Sequence, residues 1–175
     1  MRLVEVEAYA GADDPGSHAH RGRTPRNASM FAEPGTLYCY LIYGMHVCAN
    51  VSVGEAADAP GAVLLRAGEV IEGIDLARAR RAGAAGRTPA DRHLARGPAN
   101  LCRALGVDLA HDGADLASPG LRLEIADPPD PARIAAGPRV GLRQAADRPW
   151  RWWLADDPCV SQYRPAAPLN SRGAS

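Results

Sequence analysis

The sequence predicts an α+β fold, a single domain with a mainly antiparallel β-sheet core and flanking helices. The 175 residues, 46% of them hydrophobic, are enough for one core and too few for two comfortable domains. Several short apolar segments predict strands, and long loops and a few helical segments separate them. The chain contains no G-x-G-x-x-G or phosphate-loop motif, which agrees with a fold other than the doubly wound nucleotide fold.

Strands are predicted where short segments alternate or are rich in β-branched and aromatic residues. The segments that meet this description are 2–9, 36–53, 62–66, 121–125, 138–143 and 150–154. Gly44 interrupts the second segment, which therefore predicts a hairpin or a strand-turn-strand unit. Glu7 and Tyr9 lie two residues apart in the first segment, so their side chains share one face of that strand.

Helices are predicted over residues 71–82 and 99–105 from their Ala, Leu and Arg content and from the glycines and prolines that bound them. Residues 83–89 between them predict a loop. We place the domain in residues 1–163. The composition of residues 164–175 shifts to Pro, Ala, Ser and Gly, which predicts a disordered tail.

The formal net charge is zero, which argues against a purely electrostatic DNA coat. Charge is nevertheless uneven along the chain. Residues 78–103 contain seven arginines and one aspartate, whereas residues 104–130 contain six acidic residues and one arginine. The folded protein is expected to present either one basic and one acidic binding surface or two ordinary solvated faces.

The four cysteines form no C-x-x-C pair, and the chain has no apolar leader or membrane-length apolar segment. We expect buried thiols and a bacterial-type cytoplasmic location. A zinc site made of His18, His20, His46 and Cys48 is disfavoured, because such spacing usually needs a second, well-spaced ligand pair. No metal is expected.

Two segments concentrate aromatic rings and cations. Residues 37–45 hold three of the five tyrosines, and residues 18–27 hold three arginines and two histidines with no acidic residue. Together with the aligned Glu7 and Tyr9, they predict a base-handling enzyme that acts on nucleic acid. All 20 basic residues are arginine, so strand cleavage through a lysine Schiff base is excluded and glycosidic chemistry is expected to use water.

Ordered blocks over nearly the whole chain closely resemble the alkyladenine (3-methyladenine) DNA glycosylase family. The blocks are Val4–Tyr9, Ser17-His18, Arg21–Asn27, Met30-Phe31, Pro34–Tyr38, Tyr40, Ile42–Met45, Asn50, Val63–Arg66, Gly97-Pro98, Arg139–Gly141 and Pro158–Ser161. The resemblance implies a monofunctional DNA repair enzyme that flips an alkylated or deaminated purine out of duplex DNA and hydrolyses its N-glycosidic bond. It also implies a fold like the C-terminal domain of formyltransferase, no cofactor, and a monomer.

The resemblance implies catalytic roles for three residues. Glu7 would be the general base that activates water, with Arg66 and the backbone of Val140 holding that water. The implied base-binding pocket would stack the purine between aromatic faces and reject guanine at the asparagine. Its residues are Tyr9, His18, Tyr40 and Asn50.

The resemblance also implies DNA contacts. Tyr43, with Met45 beside it, would fill the gap that the flipped nucleotide leaves in the duplex. Phosphate contacts, which position the protein without reading sequence, would come from the cationic loop. These residues are Arg21, Arg23, Thr24 and Arg26.

Several alternatives stay open from the sequence. Glu7 fits a solvated strand edge, Asn50 a turn and Arg66 a strand end at the surface, while the tyrosines fit ordinary sheet positions. At the level of function, the rivals are a non-catalytic or truncated minor-groove protein that binds lesions without releasing the base, and a hydrolase of free nucleosides. Truncation is an expectation because Met1 directly precedes the glutamate strand, whereas relatives carry a further helix and strand upstream.

Overall fold

The computed structural model describes residues 1–54, 60–83 and 86–167. Within these ranges six strands form one sheet in the order β2-β3-β4-β1-β6-β5, and each neighbouring pair is antiparallel. The strands are β1 Arg2–Tyr9, β2 Leu37–Ile42, β3 His46–Ser52, β4 Ala62–Glu69, β5 Ile134–Gly137 and β6 Arg151–Leu154. The predicted α+β class with an antiparallel sheet is confirmed. The likeness to a formyltransferase domain and the bounds of the domain stay predictions.

Two α-helices accompany the sheet, α1 (Ile74–Arg81) and α2 (Pro98–Leu105), and both predicted helices are confirmed. Pro98 suits the first turn of α2, where its missing N–H has no intrahelical partner. Gly106 ends α2 in the left-handed conformation at φ 75°, which favours glycine. Short 3₁₀ helices cover Gly11–Asp13, Pro25–Phe31, Asp91–His93, Leu109–His111 and Pro131–Arg133.

The alternation of side chains along the strands divides the sheet into two faces. One face packs with α1 and α2 into the main apolar core, whose buried members include Leu37, Cys39, Ala49, Val51, Leu65, Leu94, Leu101 and Cys102. The intervening residues Tyr38, Tyr40, Asn50 and Arg66 line a cavity instead. The strands β2, β3 and β4 therefore each carry core residues on one face and cavity residues on the other.

Two predicted strands are wrong. Residues 121–124 alternate in exposure because Leu121 and Leu123 pack against the core, but Ile125 is 88% exposed. The Leu123 N–H donates to the Leu116 carbonyl at 3.0 Å and closes a local loop instead of pairing with a strand. Residues 138–143 form no strand, because β5 ends at Gly137 and Pro138 has no N–H for a sheet ladder.

The strand that the sequence did not predict is β5. Its sequence Ile-Ala-Ala-Gly carries little β propensity, and the segment is extended because it pairs with β6 over all four residues. The predicted disordered tail and the predicted loop 83–89 lie partly outside the described residues, at 168–175 and 84–85 respectively.

All four cysteines are buried and free, as predicted. Burial raises the pKa of the Cys48 thiol to about 11 and that of Cys102 to about 12, so both stay protonated at neutral pH. In the part of the chain that the structure describes, none of the helices has the length and apolar character that a bilayer crossing requires.

We expect Leu101→Ala to lower the free energy of unfolding by about 2–5 kcal/mol, because Leu101 is fully buried between α2 and the sheet and its truncation leaves a cavity. Leu76→Ala on α1 is the matched control. Leu76 is 55% exposed, so that variant should change stability by less than about 0.5 kcal/mol. Denaturant titration measures both, and equal losses would contradict the assignment of the core.

Candidate active site

A cavity of about 690 Å³ opens on the sheet face that carries the tyrosines of β2. The N-terminal end of α2 and the loop after β5 contribute to its wall. The structure brings nine of the predicted site residues together around it, namely Glu7, Tyr9, His18, Arg26, Tyr40, Tyr43, Asn50, Arg66 and Val140. Met45, Arg21, Arg23 and Thr24 do not line it.

Glu7 lies in this wall, on the central strand β1, and its side chain is fully buried. Three donors among the described residues hold its carboxylate. The Val140 N–H donates to Oε1 at 2.7 Å, the Tyr9 hydroxyl donates to Oε2 at 2.8 Å, and Arg66 Nη1 lies 3.3 Å from Oε1. Glu7 is therefore a directed, charge-paired carboxylate, and the interpretation as a solvated strand edge is wrong.

The pairing of β1 with β4 is irregular beside this carboxylate. The register shifts on both sides of the Glu5–Ala67 pair, so Val4 of β1 and Arg66 of β4 are both left out of the pairing. Such irregularities re-aim side chains and are common beside active sites. Arg66 is 6% exposed, which contradicts the alternative of a strand end at the surface.

Sequence reasoning missed a second buried carboxylate, Glu5, which shares the face of Glu7. Glu5 Oε1 accepts from Arg66 Nε at 2.9 Å and from Arg151 Nε at 2.7 Å. Ser161 donates its hydroxyl to Oε1 at 2.8 Å and its N–H to Oε2 at 2.6 Å. Glu5 could have been found from its spacing of two from Glu7, and Ser161 from its place at the end of the last block of the resemblance. For Arg151, the sequence offered only its position in a predicted strand.

The charges in this network act on one another. Burial by itself would raise the pKa of Glu5, but Arg66 and the hydrogen bonds from Arg151 and Ser161 outweigh it and hold that pKa below its ordinary value. Burial would likewise lower the pKa of Arg66, yet Glu7 and Glu5 raise it overall. Arg66 is consequently a permanent cation between two carboxylates.

A second buried ion pair, Arg139 with Asp14, positions the loop that carries Val140. Arg139 Nη2 donates to Asp14 Oδ1 at 2.8 Å, Nη1 contacts Oδ2, and Nη1 also donates to the Ala8 carbonyl at 2.9 Å. The Arg139 guanidinium lies over the Tyr9 ring, 4.7 Å from its centroid. Neither partner was predicted, although Arg139 adjoins Val140 in a matched block. The pair links the loop after β5 to β1 and so fixes the Val140 N–H on Glu7.

Aromatic rings form another part of the wall. The His18 ring lies edge-on to Tyr40 with 4.5 Å between centroids, and His18 Nδ1 shares a 2.9 Å hydrogen bond with the Tyr38 hydroxyl. Burial of His18 and, secondarily, the positive charge of Arg26 lower the pKa of the His18 imidazole, so the ring is neutral at pH 7. Asn50 is buried and donates to the Tyr38 carbonyl at 3.2 Å, which contradicts its interpretation as a turn residue.

The β2–β3 turn projects Tyr43 and Met45, which are 85% and 71% exposed. Tyr43 has φ 53° and Gly44 φ 69°, and the Met45 N–H faces the Ile42 carbonyl at 3.3 Å, so this is a type I′ turn. Glycine and asparagine favour the left-handed region, whereas a tyrosine there is strained. The turn thus holds an exposed tyrosine in a backbone conformation that is unfavourable for tyrosine.

The predicted phosphate-contacting residues lie on an exposed loop. Arg21 and Arg23 are exposed, and Thr24 caps a 3₁₀ helix through the Asn27 side chain. Arg26 alone of the four lines the cavity, and its Nη2 donates to the Leu41 carbonyl at 2.9 Å. The loop is thus open to a large partner, while only its last arginine reaches the site.

A buried, charge-paired carboxylate beneath an aromatic cavity defines a candidate enzyme site for a flat ring. Residues 1–158 match the family model described as Methylpurine-DNA glycosylase (MPG), and the chain belongs to this family of DNA repair enzymes. The resemblance predicted from the sequence is confirmed.

Relatives named "Putative 3-methyladenine DNA glycosylase" support membership of the same family. The Nocardia farcinica protein is 56% identical, over 96% of this chain and 81% of its own length. The Leifsonia xyli protein is 54% identical, over 94% and 78%. The Mycobacterium tuberculosis protein is 48% identical, over 99% of this chain and 85% of its own length.

Glu5→Gln keeps the shape of the side chain but removes its charge. Because Arg66 and Arg151 then lose a buried counter-charge, we expect the free energy of unfolding at pH 7 to fall by roughly 3 kcal/mol. The folded pKa of Glu5 lies below its unfolded value, so its contribution is present above about pH 4.3 and is lost as the pH falls through the folded pKa.

The variant should therefore lose stability less steeply than the wild type below about pH 4.3, as measured by denaturant titration at a series of pH values. Glu69→Gln is the control, because Glu69 forms an exposed pair with Arg2 that should contribute less than about 1 kcal/mol. If the free energy of unfolding falls equally steeply with acid in the wild type and in Glu5→Gln, the proposed charge balance is wrong.

Proposed function

We propose that this protein is a DNA repair N-glycosylase that flips an alkylated or deaminated purine out of duplex DNA and hydrolyses its N-glycosidic bond. The observation that carries the proposal is the buried Glu7 carboxylate, held by Arg66 and the Val140 N–H in the wall of an aromatic cavity. Membership of the methylpurine-DNA glycosylase family supports the class of substrate.

In the proposed reaction, Glu7 accepts a proton from a water molecule as the water oxygen attacks C1′ of the flipped nucleotide. The C1′–N bond breaks, and its electron pair leaves with the purine. Arg66 pairs with the carboxylate and the Val140 N–H directs it, and the negative charge of Glu7 also stabilises the oxocarbenium-like sugar. A cationic alkylpurine leaves as a neutral base and needs no acid. The chain contains no lysine for strand cleavage by an imine route.

Base recognition is assigned to the aromatic wall. Tyr9, His18 and Tyr40 present ring surfaces to the cavity, and such surfaces favour electron-poor, positively charged alkylpurines. Asn50 is buried in the same wall, where its amide would meet the exocyclic amino group of guanine and leave it unpaired.

The exposed turn is assigned to flipping. Tyr43 would enter the duplex in place of the extruded nucleotide, with Met45 beside it, and the strain at Tyr43 is consistent with a position kept for function. Arg21, Arg23, Thr24 and Arg26 would contact phosphates of the duplex from the adjoining loop. The protein is proposed to act as a monomer and without a cofactor.

We expect Glu7→Gln to reduce single-turnover base release from a 3-methyladenine-type, hypoxanthine or ethenoadenine duplex by at least about 100-fold, because glutamine cannot accept the proton from water. Binding of the lesion duplex should persist, and the Glu69→Gln control should release base at the wild-type rate. Lesion binding by folded wild-type protein without any release would instead identify a non-catalytic lesion-binding protein. Release from free nucleosides but not from duplex would identify a nucleoside hydrolase.

We expect Tyr43→Asn to raise the free energy of unfolding by about 1 kcal/mol and to reduce base release, because asparagine tolerates the left-handed conformation but cannot fill the gap in the duplex. Gly44→Ala is the matched control: it retains the Tyr43 side chain but should lower stability by about 1 kcal/mol at φ 69°. If Tyr43→Asn releases the base at the wild-type rate, Tyr43 has no role in the proposed mechanism.

A further inference from the structure

A second cavity, of about 470 Å³, adjoins the first and is strongly basic. Its wall includes Arg81 at the end of α1, Arg96 before α2, and Arg164. His93, Ser161, Gln162 and the N-terminal end of α2 also line it, and no carboxylate side chain among the described residues does. We call this space the arginine cavity.

The three arginines of this cavity have no acidic partner, in contrast to seven other arginines among the described residues. Within residues 1–54, 60–83 and 86–167, neither Arg81, Arg96 nor Arg164 has a carboxylate oxygen within 4.0 Å. By contrast, Arg78 on the same helix as Arg81 contacts Asp75 at 2.8 Å and Asp91 at 2.9 Å. Like charges that line one cavity repel one another, and an anion bound among them would relieve that repulsion.

The fold nevertheless holds two of these guanidinium groups in place. Arg81 Nε donates to the Leu94 carbonyl at 2.9 Å, and Arg96 Nε donates to the Val160 carbonyl at 2.6 Å. Each bond uses the inner nitrogen. Arg96 Nη1 also lies 3.4 Å from His93 Nδ1, while Arg96 Nη2 and both terminal nitrogens of Arg81 have no hydrogen-bond partner among the described residues. Guanidinium groups fixed in this way match the geometry of phosphate oxygens. The positive end of α2, at Gly97 and Pro98, adds to the same field.

The position of the arginine cavity indicates which anion it takes. Arg66 and Val140, which contact Glu7, line both cavities, as do Asn100 and Arg164. A nucleotide with its base in the first cavity and its C1′ near Glu7 has its sugar at this shared wall. The phosphates bonded to that sugar travel with the flipped nucleotide, so one of them comes to the entrance of the arginine cavity.

We propose that the arginine cavity binds a backbone phosphate attached to the flipped nucleotide, with Arg96 and Arg164 as its main ligands and Arg81 behind them. This inference rests on the proposed function, and it names a phosphate site separate from the exposed loop of Arg21 and Arg23. The site holds the extruded nucleotide by its own backbone, whereas the loop contacts the duplex. The three guanidinium groups supply the counter-charge that a phosphate needs on leaving water.

The test is a double-mutant cycle between protein and DNA, measured as equilibrium binding by fluorescence anisotropy. The protein variants are Arg96→Ala and Arg164→Ala, with Arg78→Ala as the matched control because the carboxylates of Asp75 and Asp91 neutralise that arginine. The lesion duplexes carry a neutral methylphosphonate at the linkage 5′ to the lesion, at the linkage 3′ to it, or at a distant linkage. Thermal melting verifies that each variant is folded.

Arg96→Ala should weaken binding of the fully charged lesion duplex about tenfold and reduce the slope of log affinity against log salt by about 1. On one of the two flanking methylphosphonate duplexes, the same variant should cause little further loss, because the phosphate charge it contacts is already gone. The losses should be additive at the distant linkage, and Arg78→Ala should bind all duplexes like the wild type.

Additive losses at both flanking linkages, with base release by the wild type intact, would overturn the phosphate site alone. Failure of the wild type to bind lesion duplex would overturn the proposed function and this inference together. A last measurement, with inorganic phosphate, tests whether the cavity binds a free phosphate ion. If it raises the melting temperature of the wild type but not of Arg96→Ala, while the DNA cycle is additive, the cavity binds a free phosphate ion and the DNA assignment is wrong.

Discussion

The ion network centred on Arg66 is the interaction on which the site depends. Glu5 and Glu7 project from the same face of a central strand, where two buried carboxylates would repel each other and lose their hydration. Arg66 contacts both, and Arg151 contacts Glu5, so two negative and two positive groups balance. Both carboxylates accept hydrogen bonds on both oxygens, but Glu7 lines the cavity and Glu5 does not. Glu7 is therefore the carboxylate available to the cavity.

Much of the fold could be predicted because its signals are local. The period of two in β1 places Glu7 and Tyr9 together, and Pro98 and Gly106 mark the ends of α2. β5 could not be predicted, since its extended form comes from pairing with β6 rather than from its own residues. Residues 121–124 show the converse, an alternation in exposure that comes from packing of Leu121 and Leu123 without a strand partner.

The site likewise contains residues that local sequence signals identify and residues that they do not. Glu7 and the tyrosines stand out from residue type and spacing, whereas Arg66 and Val140 were reached only through the family resemblance. Arg139 and Asp14 are 125 positions apart, and no local pattern joins them. The irregular pairing beside Arg66 depends on the register between β1 and β4, which is a property of the sheet. Long-range pairing therefore sets the parts of the site that sequence reasoning missed.

A site that combines a carboxylate with a polyanionic substrate has an electrostatic problem, because Glu7 repels the phosphates that must approach it. The chain as a whole is neutral, so no global attraction compensates for this repulsion. The arrangement of the site does so locally. Arg66 and Arg151 cancel the carboxylates within the wall, and the arginines of the adjoining cavity add positive charge on the side where a backbone would lie. In the proposed chemistry, the negative charge of Glu7 would face C1′ of the flipped nucleotide while the approach to it is positive.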